Sequence, residues 1–233
     1  MDNSRHETMI NVGGWSLILF SILYVALTLV IDHIVQSQTM LYSLEEHRLF
    51  KVVAGSYGVR FFLTIYALLP LLLIPGAVAT YYTFIEKHEA NMRVGMYFAT
   101  AGVIALCISL LMLPSINWHL LSHVDGMPVE IKASTIITIQ ALHSYFGIYV
   151  GDILGLGCLL VWFFITSLVM MRSGVVPRLL GVIEVIIAIC ATLLLMFRYL
   201  EETQLIYTNI QAPGFIALWI FLCGIGLLSL RNR

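Results

Sequence analysis

Six long apolar stretches joined by short polar ones constrain this chain more than any other feature. They run from Gly13 to Ile31, Arg60 to Ile85, Val94 to Trp118, Val150 to Met171, Leu179 to Phe197 and Phe215 to Leu230. A helix needs about 20 apolar residues to cross a hydrocarbon core of roughly 30 Å. In lipid every backbone donor and acceptor must also be satisfied internally, which leaves helices as the economical solution. Water is excluded as the main solvent by charge. Only 11% of residues are Asp, Glu, Lys or Arg and 60% are hydrophobic, against roughly a quarter charged in a soluble domain. The pattern predicts an all-α polytopic transmembrane bundle of about six helices. With no linker, low-complexity tract or internal repeat to divide it, residues 1–233 form a single integral membrane domain.

Residues Met1 to Thr8 are polar, and no small-residue cleavage site follows the run Trp15 to Ile31. That run is therefore expected to be a first transmembrane helix rather than a removed signal peptide. Pro70 and Pro75 lie inside the second stretch. Each removes a backbone donor and crowds the preceding turn, so a bend is expected there. Ser43-Leu44-Glu45-Glu46 has the form of a capping box, which would start this helix well before the membrane. The fourth helix is expected to begin early, near Ser134. Gly147, Gly151 and Gly155 repeat every four residues along it, a ridge that admits a close neighbouring backbone.

Basic residues set the orientation. Arg5, Lys87, Arg93, Arg172, Arg178, Arg231 and Arg233 fall at one set of helix ends. Arg48, Lys51, Lys132 and Arg198 fall at the other, with Arg60 at its edge. Both termini are accordingly expected in the cytoplasm.

At about 1.5 Å per helical residue, Asp32, Asp152 and Arg198 stand roughly 30 Å above the cytoplasmic ends of their helices. Arg60, His119 and His143 reach somewhat higher. Loops above them add Glu45, Glu46, His47, His123 and Asp125. An outer belt of ionisable groups is the expected functional region. Interfacial arginines and histidines also snorkel to headgroups with no further role. Asp152 is too short to snorkel well, so a basic partner, Arg60 or Arg198, is expected to neutralise it. A purely structural ion pair would meet the same need.

His119 and His123 are spaced i, i+4 and share a helix face. That spacing suits zinc or a transition metal, with His143 as a third ligand and Asp125, Glu46 or Asp32 as a fourth. A haem held by His119 and His143 is a weaker variant, since no CxxCH motif is present. Solvated loop residues and interfacial histidines produce the same pattern without metal. Glu184 sits within a turn or two of the cytoplasmic end of the fifth helix, where an interfacial position is expected. A proton or cation acceptor is the sharper alternative. Cys107, Cys158, Cys190 and Cys223 each lie within apolar runs, outside any CxxC pair, and read as small hydrophobes.

The net charge of -1 excludes a nucleic-acid footprint. Phosphate loops, the GxSxG elbow, the HExxH motif, desaturase histidine boxes and a late-helix Schiff-base lysine are all missing from the sequence.

The stretch Arg172-Ser173-Gly174-Val175-Val176-Pro177-Arg178-Leu179-Leu180-Gly181-Val182 resembles the R-S-G-x-x-P-R-x-L-G-V turn of an uncharacterised bacterial multi-pass membrane family, a domain of unknown function. Glu46 to Gly58 is similar to that family's start of the second helix, and Ala217-Leu218-Trp219-Ile220 to its final-helix Leu-Trp pattern. The acidic residue that usually precedes the Leu-Trp pair is replaced here by Pro213-Gly214-Phe215. The resemblance implies a six-helix bacterial inner-membrane protein and carries over no catalytic residue. Physically, Gly174 can close the fourth helix in a left-handed cap and Pro177 can open the fifth.

Three function classes follow. One is an outward-facing polar, histidine-lined cavity that binds, and in one version transports, a small or lipidic ligand. Another is a metal- or haem-dependent membrane enzyme using the outer histidines. The third is a structural or accessory subunit. Membrane lipids are the expected surroundings, and a homo-oligomer stays open.

Overall fold

A computed structural model describes residues 3–39, 57–121, 128–200 and 211–230. The described residues form six helices and no strand. We label them α1 (Asn3–Thr39), α2 (Tyr57–Glu86), α3 (His88–Leu120), α4 (Ile131–Ser173), α5 (Arg178–Leu200) and α6 (Gln211–Ser229). Five are long and apolar enough to cross a membrane, and α6 carries a shorter apolar stretch, Gly214–Ser229.

The outside of the bundle is apolar. Val12, Trp15, Leu19 and Ile22 on α1, Ile104 and Ile108 on α3, and Ile186 and Leu193 on α5 are all exposed. Soluble monomers rarely expose contiguous apolar surface beyond a few hundred Å². This is a membrane protein, and these faces meet lipid.

The helices close into a ring whose contacts are set by small residues. A Cβ added at Gly13 would stand 2.1 Å from Ala79 Cβ and 2.7 Å from the Pro75 carbonyl, so α1 lies against α2 nearly backbone to backbone. On its other side, a Cβ at Gly14 would meet Leu228 of α6 at 2.9 Å. Ser21 strengthens that seam by donating to the Ala217 carbonyl at 3.0 Å. Between α3 and α4, a Cβ at Gly102 would stand 2.8 Å from the Gly155 carbonyl, and one at Gly151 2.4 Å from Ser109 Oγ. Gly151 and Gly155 thus form the expected packing ridge, whereas Gly147 lies under the ring of His143 on its own helix. Close van der Waals packing of this kind drives association in lipid, where burying apolar surface supplies no force.

Contacts also show which ends coincide. Gly226 of α6 lies against Met170, Val176 and Leu180. The beginning of α1 and the end of α6 therefore share the face of the bundle that carries the α4–α5 turn. At that turn Gly174 has φ +67°, the left-handed cap anticipated from its position, and α5 starts at Arg178 just after Pro177.

The second helix changes its winding at the prolines, where a bend was expected. It tightens to a 3-10 turn over Leu69–Leu72, around Pro70. Pro75 falls in the first turn of the α-helix that resumes at Leu73, where its missing N–H would have had little use. His88, at φ −138° and ψ 36°, breaks the helix again and separates α2 from α3.

Some boundaries differ from those read along the chain. The first helix continues past Ile31 to Thr39, and α3 begins at His88, before Val94. Helical structure ahead of α4 starts at Val129, before Ser134. Polar residues extend a helix beyond hydrocarbon without any change in backbone pattern, so hydropathy alone misplaces such ends. Two π-helical segments, Leu113–Asn117 in α3 and Ser144–Leu156 in α4, were not anticipated. Pro114 opens the first of them. The Ser43–Glu46 capping box lies outside the described residues.

Candidate functional site

Among the described residues one carboxyl group is buried in the interior of the bundle, and its surroundings are built from three helices. Glu184 on α5 is fully buried. At about 1.5 Å per residue it stands only some 9 Å from Arg178, which fits the expected distance from the helix end. The expected interfacial setting is wrong. Gly181, Glu184, Ala188 and Ala191 share the buried face of α5, while Ile183, Ile186 and Leu193 are turned outward. Small residues let α5 approach its neighbours, and the carboxyl is carried inward with them.

On α4 the Ser167 hydroxyl adjoins this carboxyl. Its proton is donated to the Phe163 carbonyl at 2.8 Å, and it accepts from Trp219 Nε1 of α6 at 2.9 Å. Trp219 is fixed as well by stacking on Phe163, with ring centroids 3.9 Å apart, and by an edge contact with Trp162 at 5.6 Å. Cys223, one turn along α6 from Trp219, also lies near Glu184. Neither carboxyl oxygen of Glu184 has a hydrogen-bond partner among the described residues. The same holds for the buried Thr166 Oγ1 and Trp162 Nε1 on α4. Unsatisfied buried polar atoms are few in native proteins and call for an explanation.

A second polar centre lies toward the opposite end of α2 and α3. Arg60 Nε donates to the Pro114 carbonyl at 2.9 Å, and its guanidinium lies 3.9 Å from the centre of the Trp118 ring. Pro114 lies in the π-helical segment of α3, and Trp118 directly follows it. Asn117 in that segment is completely buried, and its amide N and O lack hydrogen-bond partners among the described residues.

The contacts shown for Arg60 are thus with Pro114 and Trp118, and the expected Arg60–Asp152 pair is not among them. Asp152 is half-buried on α4, beside Gly151, which packs on Ser109 of α3. Pro114 is five residues further along α3, or about 8 Å higher. Arg60 is held at that upper level by a carbonyl and an aromatic face. Arg198, the alternative partner for Asp152, lies in α5, and Asp32 of the expected belt lies in α1, both in helical backbone.

Among the expected metal ligands, His119 is exposed near the end of α3 and His143 is half-buried on α4. The described residues bring together no group of three or more His, Cys, Asp or Glu side chains able to hold a metal. His123, Asp125 and Glu46 lie outside the described residues. The four cysteines are free, and Cys107 and Cys223 are buried, as expected of small apolar fillers.

An apolar groove of about 450 Å³ opens between α4 and α5. Gly157, Val161 and Phe164 line one wall, and Ile189, Leu193 and Met196 the other. Thr192 is the polar residue in its lining. Neither Glu184 nor a histidine lines the groove, so it is not the polar cavity that the outer belt suggested. Its lining carries no charge for hydropathy or motif reading to detect.

The model of a family described as Domain of unknown function (DUF4386) matches residues 12–223. The chain belongs to this family. That range takes in nearly all of the ring, from the α1 seam at Gly13 to Cys223 of α6. No curated protein and no solved structure matches the chain. The DUF4386 assignment thus fixes kinship, and the chemistry must be argued from the two polar centres and the groove.

Proposed function

We propose that this DUF4386 protein binds a lipidic molecule by laying an acyl chain in the groove between α4 and α5. The volume and lining of that groove carry the reading. About 450 Å³ falls within the roughly 300–1,000 Å³ of small-molecule sites, which are mostly apolar with few polar groups. The groove begins near Ile165 and Ile189 and rises to Gly157 and Met196, toward the level of Asp152 and Arg198. A chain lying in it would place its headgroup among the ionisable residues of that end. Gly157 supports the reading further, because a Cβ there would meet nothing within 4 Å. Its bare backbone keeps the groove open where packing does not demand it.

The excess of basic residues at the end bearing Arg172 and Arg178 supports a cytoplasmic position for that end. The lipid headgroup would then sit at the outer leaflet of a bacterial inner membrane. Movement of the lipid between leaflets is the transport activity this arrangement would serve.

Filling the groove tests the proposal. Gly157→Phe should occupy the open space without moving a neighbour. Binding of a fluorescent phospholipid to protein in detergent should weaken at least tenfold, with unchanged thermal stability. Equal affinity of the two proteins would refute the groove as the binding site.

A further inference from the structure

We infer that Glu184 is a proton-binding site inside the bundle, separate from the lipid groove. A carboxylate in hydrocarbon needs a cation or several hydrogen-bond donors, because an isolated charge costs a few kcal/mol even on the mildest insertion scale. Among the described residues, the surroundings of Glu184 supply neither. Ser167, the adjoining hydroxyl, sends its proton to Phe163, and the Trp219 N–H is committed to Ser167. On α4, the stretch from Trp162 to Met170 contains no ionisable residue. On α6, Cys223 is the titratable neighbour, and a thiol brings no positive charge. On α5 itself the nearest basic residues are Arg178 at the turn, exposed to its surroundings, and Arg198, fourteen positions further on.

A proton is the counter-charge that fits without any space being made for it. With α5 seated against α4 and α6, Glu184 is a carboxylic acid. Its proton leaves when water reaches the carboxyl, which requires α5 to part from Ser167 and Trp219. The Arg172–Arg178 end is the shorter way out, at about 9 Å.

Dicyclohexylcarbodiimide is a suitable probe, since it partitions into the bilayer and reacts with carboxyl groups in the acid form. Applied to the full chain in nanodiscs, with peptide mapping by mass spectrometry, it should modify Glu184. The rate should fall about tenfold per pH unit once the acid is the minor form. A water-soluble carbodiimide should instead modify the exposed Glu86 and Glu89 and spare Glu184. A second readout uses the indole held at the site. Tryptophan fluorescence should change with pH in the native protein and lose that change in Glu184→Gln and in Trp219→Phe. Glu184→Gln keeps the shape of the neutral acid and should fold normally. Failure of dicyclohexylcarbodiimide to modify Glu184 at any pH would overturn the inference. Modification independent of pH, or a fluorescence titration unchanged by Glu184→Gln, would do the same.

Discussion

Replacing Gly13 by Ala should be among the most damaging single-methyl changes available in this protein. The added Cβ would stand 2.1 Å from Ala79 Cβ and 2.7 Å from the Pro75 carbonyl. Carbon atoms pack best at about 3.5–4.0 Å, so α1 and α2 would have to separate by roughly 1.5 Å. Neither can yield freely, because α1 is seated on α6 through Gly14 and the obstacle on α2 includes backbone. Overpacking costs about 1–3 kcal/mol, and this site belongs at the upper end. Gly157→Ala is the matched control, since its Cβ meets nothing within 4 Å. Removing a mid-helix glycine there should gain roughly 0.5–1 kcal/mol. The two variants should thus differ by about 2–4 kcal/mol. At about 2–4 °C per kcal/mol for a chain of this size, their melting midpoints in detergent should lie roughly 4–16 °C apart. Equal midpoints, or a Gly13→Ala protein more stable than Gly157→Ala, would refute the α1–α2 packing described here.

Ser167→Ala should cost about 1–3 kcal/mol by leaving the Trp219 indole N–H buried without its acceptor. In a double-mutant cycle with Trp219→Phe, measured by chemical unfolding, the second change should add much less than it costs alone. Arg60→Lys should lose the planar stack on Trp118 and destabilise by about 0.5–2 kcal/mol. Adding Asp152→Asn should leave that cost unchanged within about 0.5 kcal/mol, whereas a direct pair would couple the two in thermal melts. Gly174→Ala should cost about 1–2 kcal/mol through its left-handed backbone, with Gly174→Asn tolerated better in the same assay.

Much of the architecture was legible because each of its causes is local. Apolar runs of spanning length gave the helices, Pro70 gave the change of winding in α2, and the Gly174–Pro177 turn gave the sharp reversal between α4 and α5. The direction in which side chains point was harder to read. Glu184 was placed correctly along its helix and wrongly around it, although Gly181, Ala188 and Ala191 mark the inward face at helical spacing. In lipid the outside is as apolar as the inside, so hydrophobic periodicity no longer distinguishes them, and residue size becomes the better signal. Asp152 and Arg60 were rightly singled out as charges within apolar surroundings. The contacts that Arg60 makes, with the Pro114 carbonyl and the Trp118 ring, were not legible, because neither partner carries a charge. The α4–α5 groove had no signature, being a space between aliphatic side chains.

A photoactivatable phospholipid, cross-linked to the protein in native membranes and mapped by peptide mass spectrometry, tests the lipid-binding proposal most directly. Adducts should concentrate on Val161, Phe164, Leu193 and Met196, and should be lost from those positions in Gly157→Phe. Adducts spread evenly over other lipid-facing surfaces, such as Val12, Trp15 and Leu19 of α1, and unaffected by Gly157→Phe, would contradict it.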